Sequence, residues 1–102
     1  MYVKELLSRY AAGQRDFRNL NLIAANLRNL DLRGVNLSGT NLAKANLAGT
    51  NLSQANLTNT VLIGANLTQT NFTQANLTNV DLKGVNLNKA ILRGAILPPA
   101  SS

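Results

Sequence analysis

The sequence predicts an all-β solenoid, a coil in which each short repeat forms one side of a repeating cross-section. Seventeen consecutive pentapeptides run from Arg15 to Pro99 without insertion or deletion, each centred on Leu or Phe, from Phe17 to Leu97. A five-residue period differs from the period of about 3.6 residues of a helix and from that of about two residues of a strand. Such a repeat predicts stacked coils, because a single coil has no partner against which to bury its apolar residues.

Two positions of each pentapeptide are predicted to face the interior. One is the Leu or Phe centre, and the other, two residues before it, is Ala, Thr, Val or Leu in every repeat but the first. The residue just before the centre is Asn or Asp in fourteen of the seventeen repeats, and the two residues after it are mostly polar, charged or small. We expect these three positions to face outward, with the Asn side chains bonded either to their neighbours in a ladder or to their own turn.

The spacing of similar repeats predicts four sides in each coil. The last position is Gly or Asn in ten of the seventeen pentapeptides, so a turn with positive φ is expected there in most repeats. Residues 41–60 and 61–80 align with twelve identities in twenty, and the small interior residue alternates between Ala and Thr from Ala45 to Ala75. A coil of about twenty residues follows, and about four coils make a column roughly 20 Å long at the ~4.8 Å spacing of paired strands.

The repeat pattern resembles that of a known family. Ala45-Asn46-Leu47 and Ala75-Asn76-Leu77 follow the alanine, asparagine or aspartate, leucine pattern of the pentapeptide repeat proteins, and the resemblance covers 85 of 102 residues. It implies a right-handed quadrilateral β-helix with four pentapeptides per coil. The leader from Glu5 to Phe17 is also similar to that of short, cyanobacterial-type members.

The repeat divides the single predicted domain into an N-terminal capping α-helix at 1–14, the β-helix at 15–99 and a C-terminal tail at 100–102. In the first part, apolar residues recur at the spacing of one helix face: Val3, Leu6, Leu7 and Tyr10. We expect this stripe to cover the open end of the column rather than to bind a membrane, because solenoids need terminal covers and the stripe is short.

The composition argues against catalysis and against metal or cofactor binding. The sequence has no Cys and no His, so it lacks thiolate ligands, the usual general base and the most common metal ligand. Three of the four acids occupy the position before the centre, which favours a turn role over that of a catalytic pair. We expect a non-enzymatic protein without cofactor or small-molecule substrate, in the cytoplasm because neither a signal peptide nor a membrane span is visible.

The formal net charge of +6 raises the question of nucleic-acid binding. The basic residues scatter over all four predicted sides, and residues 45–80 carry no charge. Specific nucleic-acid binding is therefore not expected, whereas weak, salt-sensitive adhesion remains an alternative. Some acidic members of the family mimic duplex DNA and bind DNA gyrase, which is a further alternative. The basic charge and short length of this chain argue against it.

Apolar residues at two places stand where the repeat normally has polar ones. The first set maps to the second predicted side and forms a candidate interaction patch, here called the apolar patch: Ile23, Ala43, Val61 and Ile63. The second set is Ile91 and Ile96, which together with the last repeat centre, Leu97, form a candidate C-terminal end surface. The sequence leaves open whether the apolar patch reflects drift or function. It supports the hypothesis of a scaffold whose flat side docks an unknown protein or a second copy of itself.

Overall fold

The computed structural model describes residues 1–99, and the predicted tail at 100–102 lies outside the described residues. One helix, α1, spans Val3–Ala11, and no helix within residues 1–99 is long and apolar enough to cross a membrane. The rest of the described chain consists of turns and isolated parallel β-bridges. Bridges replace continuous strands because a turn in almost every pentapeptide leaves only a short extended segment on each side.

The β-bridges define the length of one coil. Each of the twelve bridges joins residues twenty positions apart in parallel, as Asp16 pairs with Asn36 and Asn36 with Asn56. One coil therefore takes twenty residues, or four pentapeptides. We number the sides in chain order within each coil; in the first coil they are residues 15–19, 20–24, 25–29 and 30–34.

Each pentapeptide distributes its five amides among different acceptors. In the repeat 45–49, the first amide closes the preceding turn, the second donates to the coil before, and the third and fifth donate to the coil after. The fourth amide, that of Ala48, donates to the side-chain Oδ1 of Asn46 at 3.1 Å. This bond forms in all fourteen repeats that have Asn or Asp before the centre. The side chains therefore bond to their own turn.

The centres of the repeats fill the interior of the column. Those from Phe17 to Leu77 are all buried, which confirms the inward position predicted for them. The buried Thr70 beside them donates its Oγ1 hydrogen to the Leu47 carbonyl of the coil before at 2.7 Å. Burial falls toward the C-terminal end, where Leu97 is 44% exposed, because no further coil follows within the described residues.

Helix α1 lies against the N-terminal end of the column. Leu6 is fully buried in the same apolar cluster as Phe17, the first repeat centre. The Tyr10 hydroxyl donates to the Arg33 carbonyl at 2.7 Å, which ties the helix to the fourth side of the first coil. The helix ends just before Gly13, whose φ of 98° belongs to the left-handed region that glycine tolerates best.

Backbone hydrogen bonding between the third and fourth coils is interrupted on the second and third sides, although a parallel bridge still joins Val61 and Asp81. The amides that would reach the fourth coil there have no backbone acceptor within residues 1–99: those of Leu62, Gly64 and Leu67. Pairing resumes at Gln69, whose amide donates to the Lys89 carbonyl at 2.8 Å. Lys89 therefore lies at the end of the interrupted segment, and it lacks the positive φ that every other last-position residue has between Asn19 and Gly94.

Candidate interaction surface

The four residues of the apolar patch lie together on the second side. The amide of the residue after Ile23 donates to the Ala43 carbonyl at 2.8 Å, and the amide after Ala43 donates to the Ile63 carbonyl at 2.9 Å. These bonds stack the three residues in successive coils. Val61 lies in the adjoining column, where it pairs with Asp81 of the fourth coil. The structure therefore brings the predicted patch residues onto one continuous face.

The two isoleucines supply most of the exposed apolar surface of this patch. Ile23 is 49% exposed and Ile63 is 51% exposed, whereas Ala43 and Val61 are half-buried. The patch is thus a low apolar strip along the column and not a deep groove. Covering such a strip removes apolar surface from water, which favours association.

Val61 also removes a hydrogen bond that most repeats possess. Its side chain offers no acceptor, and within residues 1–99 the Ile63 amide has no hydrogen-bond partner. Ile91 likewise leaves the Arg93 amide without a hydrogen-bond partner within residues 1–99. Ile96 has no such effect, because the residue two positions later is Pro98, which has no amide hydrogen. A hydrogen bond of this kind contributes about 1 kcal/mol to stability. Val61 therefore replaces a stabilising bond with apolar surface within the patch.

Two lysines border the apolar patch. Lys44 follows Ala43, and its Cγ lies 3.2 Å from where a Cβ on Gly64 would stand. Lys83 occupies in the fourth coil the position that Ile63 has in the third. Neither lysine forms a salt bridge in the described part of the chain. From the sequence alone, the two lysines are part of a general scatter of charge. Their position beside the apolar patch was missed, although the twenty-residue register could have revealed it.

Most of the acidic residues are already engaged by arginines. Three ion pairs form within the described residues: Glu5 with Arg9, Asp16 with Arg18 and Asp31 with Arg33. Side-chain hydrogen bonds from the Arg18 guanidinium hold the pKa of Asp16 below its ordinary value. Asp81 has no such partner between residues 1 and 99. Among the described residues, no three Asp, Glu, His or Cys side chains lie close enough together to hold a metal ion.

The candidate C-terminal end surface is exposed but divided between sides. Ile91, Ile96 and Leu97 are 48%, 55% and 44% exposed. Ile91 pairs with Asn71 on the fourth side, and Ile96 pairs with Asn76 on the first side. The structure therefore separates these residues from the apolar patch and spreads them over two adjoining sides.

A small polar cleft of about 180 Å³ lies on the third side, where pairing of the third and fourth coils is interrupted. It is lined by Ala65, Asn66, Leu67, Thr68, Asn86 and Lys89. The repeat runs through both coils without insertion or deletion, so sequence reasoning did not foresee this opening.

Comparison with known proteins gives matches at the level of family and fold. The family model described as Pentapeptide repeats matches in eight copies over residues 16–54 and 55–94. HetL, a pentapeptide repeat protein involved in heterocyst differentiation regulation from the cyanobacterium Nostoc sp. strain PCC 7120, has a similar structure. It is 36% identical over 93% of this chain and 42% of that chain, with a TM-score of 0.52.

A second similar structure is that of the pentapeptide repeat protein Rfr23 from the cyanobacterium Cyanothece 51142. It is 37% identical over 80% of this chain and 59% of that chain, with a TM-score of 0.58. The chain therefore spans less than two thirds of the length of either relative. No curated protein matches the sequence.

Proposed function

The chain belongs to the pentapeptide repeat family, and we propose that it is a non-enzymatic scaffold that docks another protein on one flat side of its solenoid. In this proposal the solenoid is a right-handed quadrilateral β-helix of about four coils, and α1 caps its N-terminal end. The twenty-residue register and the burial of Leu6 against the first coil support this description. We place this role in the cytoplasm.

The observation that supports docking best is the apolar patch itself. Its residues come from three coils but share one side, with Ile23 and Ile63 half exposed. Beside Ile63, Val61 forgoes the hydrogen bond that Asn or Asp would accept from the Ile63 amide. A residue that lowers the stability of the fold while adding exposed apolar surface is expected where that surface serves binding.

The available side chains support binding rather than catalysis. The sequence contains neither His nor Cys, so its many hydroxyl groups lack the usual base that would activate them. Each Asp side chain accepts a hydrogen bond from its own turn, as the Asp81 carboxylate does from the Lys83 amide at 2.9 Å. The proposal therefore includes no reaction, cofactor or small-molecule substrate.

The likeness to HetL agrees with a role that works through contacts. That protein is involved in heterocyst differentiation regulation, and this chain covers 42% of it. A docking scaffold is one kind of protein that can contribute to regulation. The likeness supports this mode of action and leaves the partner as either an unknown protein or a second copy of the chain.

A lysine placed in the apolar patch tests the proposal. We expect Ile63→Lys bait to lose a partner that wild-type bait retains from a lysate of source cells, because docking would desolvate the new charge. Thr68→Lys is the matched control, since Thr68 is exposed at the same pentapeptide position on the third side. Mass spectrometry identifies the retained proteins, and the melting temperatures of the three baits should agree.

Retention of the same proteins by all three baits would contradict docking on the second side. Size-exclusion chromatography of the purified protein over a range of concentrations separates self-association from binding of a different protein. A dimer that forms in the wild type and is lost in Ile63→Lys would identify a second copy as the partner.

A further inference from the structure

We propose that the docked partner presents an acidic segment to the apolar patch. A partner carboxylate accepts the hydrogen bond of the Ile63 amide between Lys44 and Lys83, while a neighbouring apolar side chain covers Ile23 and Ile63. This inference rests on the proposed function, because it specifies the chemistry of the partner that binds the patch.

The missing acceptor at Val61 gives the first support. In fourteen repeats the equivalent amide donates to an Asn or Asp oxygen, and one coil later the Asp81 carboxylate accepts from the Lys83 amide at 2.9 Å. The Ile63 amide has no partner within residues 1–99, and its residue is half exposed on the side of the column. A partner carboxylate at this place would supply the bond that Asp81 makes in its own repeat, and charged acceptors form the stronger hydrogen bonds.

The charge around the patch gives the second support. The titratable residues of the second side are Lys44, Asp81 and Lys83. Neither lysine has a salt-bridge partner in the described chain, so two cations face one carboxylate. An acidic side chain between the lysines would bring complementary charge to the patch, which favours both the rate and the specificity of association.

A second copy of the chain fits this site poorly. Three of its four acids form ion pairs with Arg9, Arg18 and Arg33. The fourth, Asp81, already accepts from the Lys83 amide and lies on the same positively charged side. Two copies that met through their second sides would bring like charges together. The occupant is therefore a different, acidic protein.

A peptide titration followed by nuclear magnetic resonance tests this inference on the full, ¹⁵N-labelled chain. The probe is the capped peptide Ac-Glu-Leu-Asp-Leu-Glu-NH2, and its control is the uncharged Ac-Gln-Leu-Asn-Leu-Gln-NH2. We expect the acidic peptide to shift the Ile63 amide signal downfield, with smaller shifts at Lys44 and Lys83. The control peptide should bind at least about tenfold more weakly, which corresponds to a loss of ~1.4 kcal/mol or more in binding free energy.

Two matched substitutions separate the Ile63 amide from general effects. Val61→Asn gives this amide an internal acceptor, so we expect it to weaken binding of the acidic peptide about tenfold. Ile91→Asn makes an equivalent change on the fourth side and should leave binding unchanged. Both variants should melt at a temperature at least as high as that of the wild type, since each adds the bond that fourteen other repeats contain.

The peptide titration would overturn the inference by showing no shift with the acidic peptide, equal binding of both peptides, or full binding by Val61→Asn. Shifts at Ile63 that appear with rising protein concentration alone would also overturn it, in favour of a second copy. If capture of a partner depends on Ile63 but the acidic peptide fails to bind, docking stands and only acidic recognition fails. If capture does not depend on Ile63, the proposed function itself fails.

Discussion

The Asn or Asp before each repeat centre stabilises the backbone through its side-chain oxygen. In the central coils, as at Asn46 and Asn66, this oxygen accepts the amide hydrogen two residues later at 3.1 Å. The sequence left two roles open, a ladder between coils or a bond within the turn, because both roles require the same residue in the same column. Only the backbone conformation distinguishes them, since it determines which donor lies within reach.

The buried threonines allow a matched test at the level of single residues. The Thr50 Oγ1 hydrogen is donated to the Leu27 carbonyl, whereas the Thr60 Oγ1 has no partner among the described residues. Thr50→Val should therefore lower the free energy of unfolding by about 1 kcal/mol. Thr60→Val should leave it unchanged or raise it, because an unbonded hydroxyl is costly to bury. Urea unfolding measures both, and equal losses would contradict these assignments.

Helix α1 is the element whose removal should most affect the N-terminal end of the column. Leu6→Ala should lower the free energy of unfolding by about 3 kcal/mol, because the fully buried Leu6 fills space against Phe17. Ser8→Ala is the control, since Ser8 is exposed on the same helix. Urea unfolding again provides the measurement. A loss as small for Leu6→Ala as for Ser8→Ala would show that α1 does not cover the core.

The interrupted pairing between the third and fourth coils should be visible in amide exchange. The amides of Leu42, Lys44 and Leu47 donate to the next coil at 2.8 to 2.9 Å, and those of Leu62, Gly64 and Leu67 have no backbone acceptor within residues 1–99. We expect the amide hydrogens of the second set to exchange with solvent at least about tenfold faster, because no backbone hydrogen bond has to break before exchange. Exchange into deuterated solvent, followed residue by residue, tests this. Equal protection of the two sets would contradict the interruption.

At the scale of the whole molecule, repetition explains what the sequence could predict. The identities between residues 41–60 and 61–80 predicted the twenty-residue register, and the five-residue period placed the centres from Phe17 to Leu77 inside. The same register correctly gathered Ile23 and Ile63 on one side. Every coil shares these features, so the spacing of residue types along the sequence was enough to predict them.

Departures from the repeat were harder to predict, because they depend on local backbone geometry. Lys44 and Lys89 are the same residue type at the same pentapeptide position, but only Lys44 has a positive φ. Residue type therefore did not reveal where pairing between coils stops. The position of the lysines beside the patch was also missed, since Lys44 and Lys83 are distant in sequence and come near Ile63 only through the coil register.

Photo-crosslinking from the second side tests most directly whether a protein docks there. Ala43 and Ala48 are both half-buried and occupy the same pentapeptide position on the second and third sides. A photoreactive benzoylphenylalanine would replace each of them separately in the full chain, expressed in source cells. Docking on the apolar patch predicts a discrete heavier adduct from position 43 and none from position 48. Absence of an adduct from position 43, or the same adducts from both positions, would contradict it.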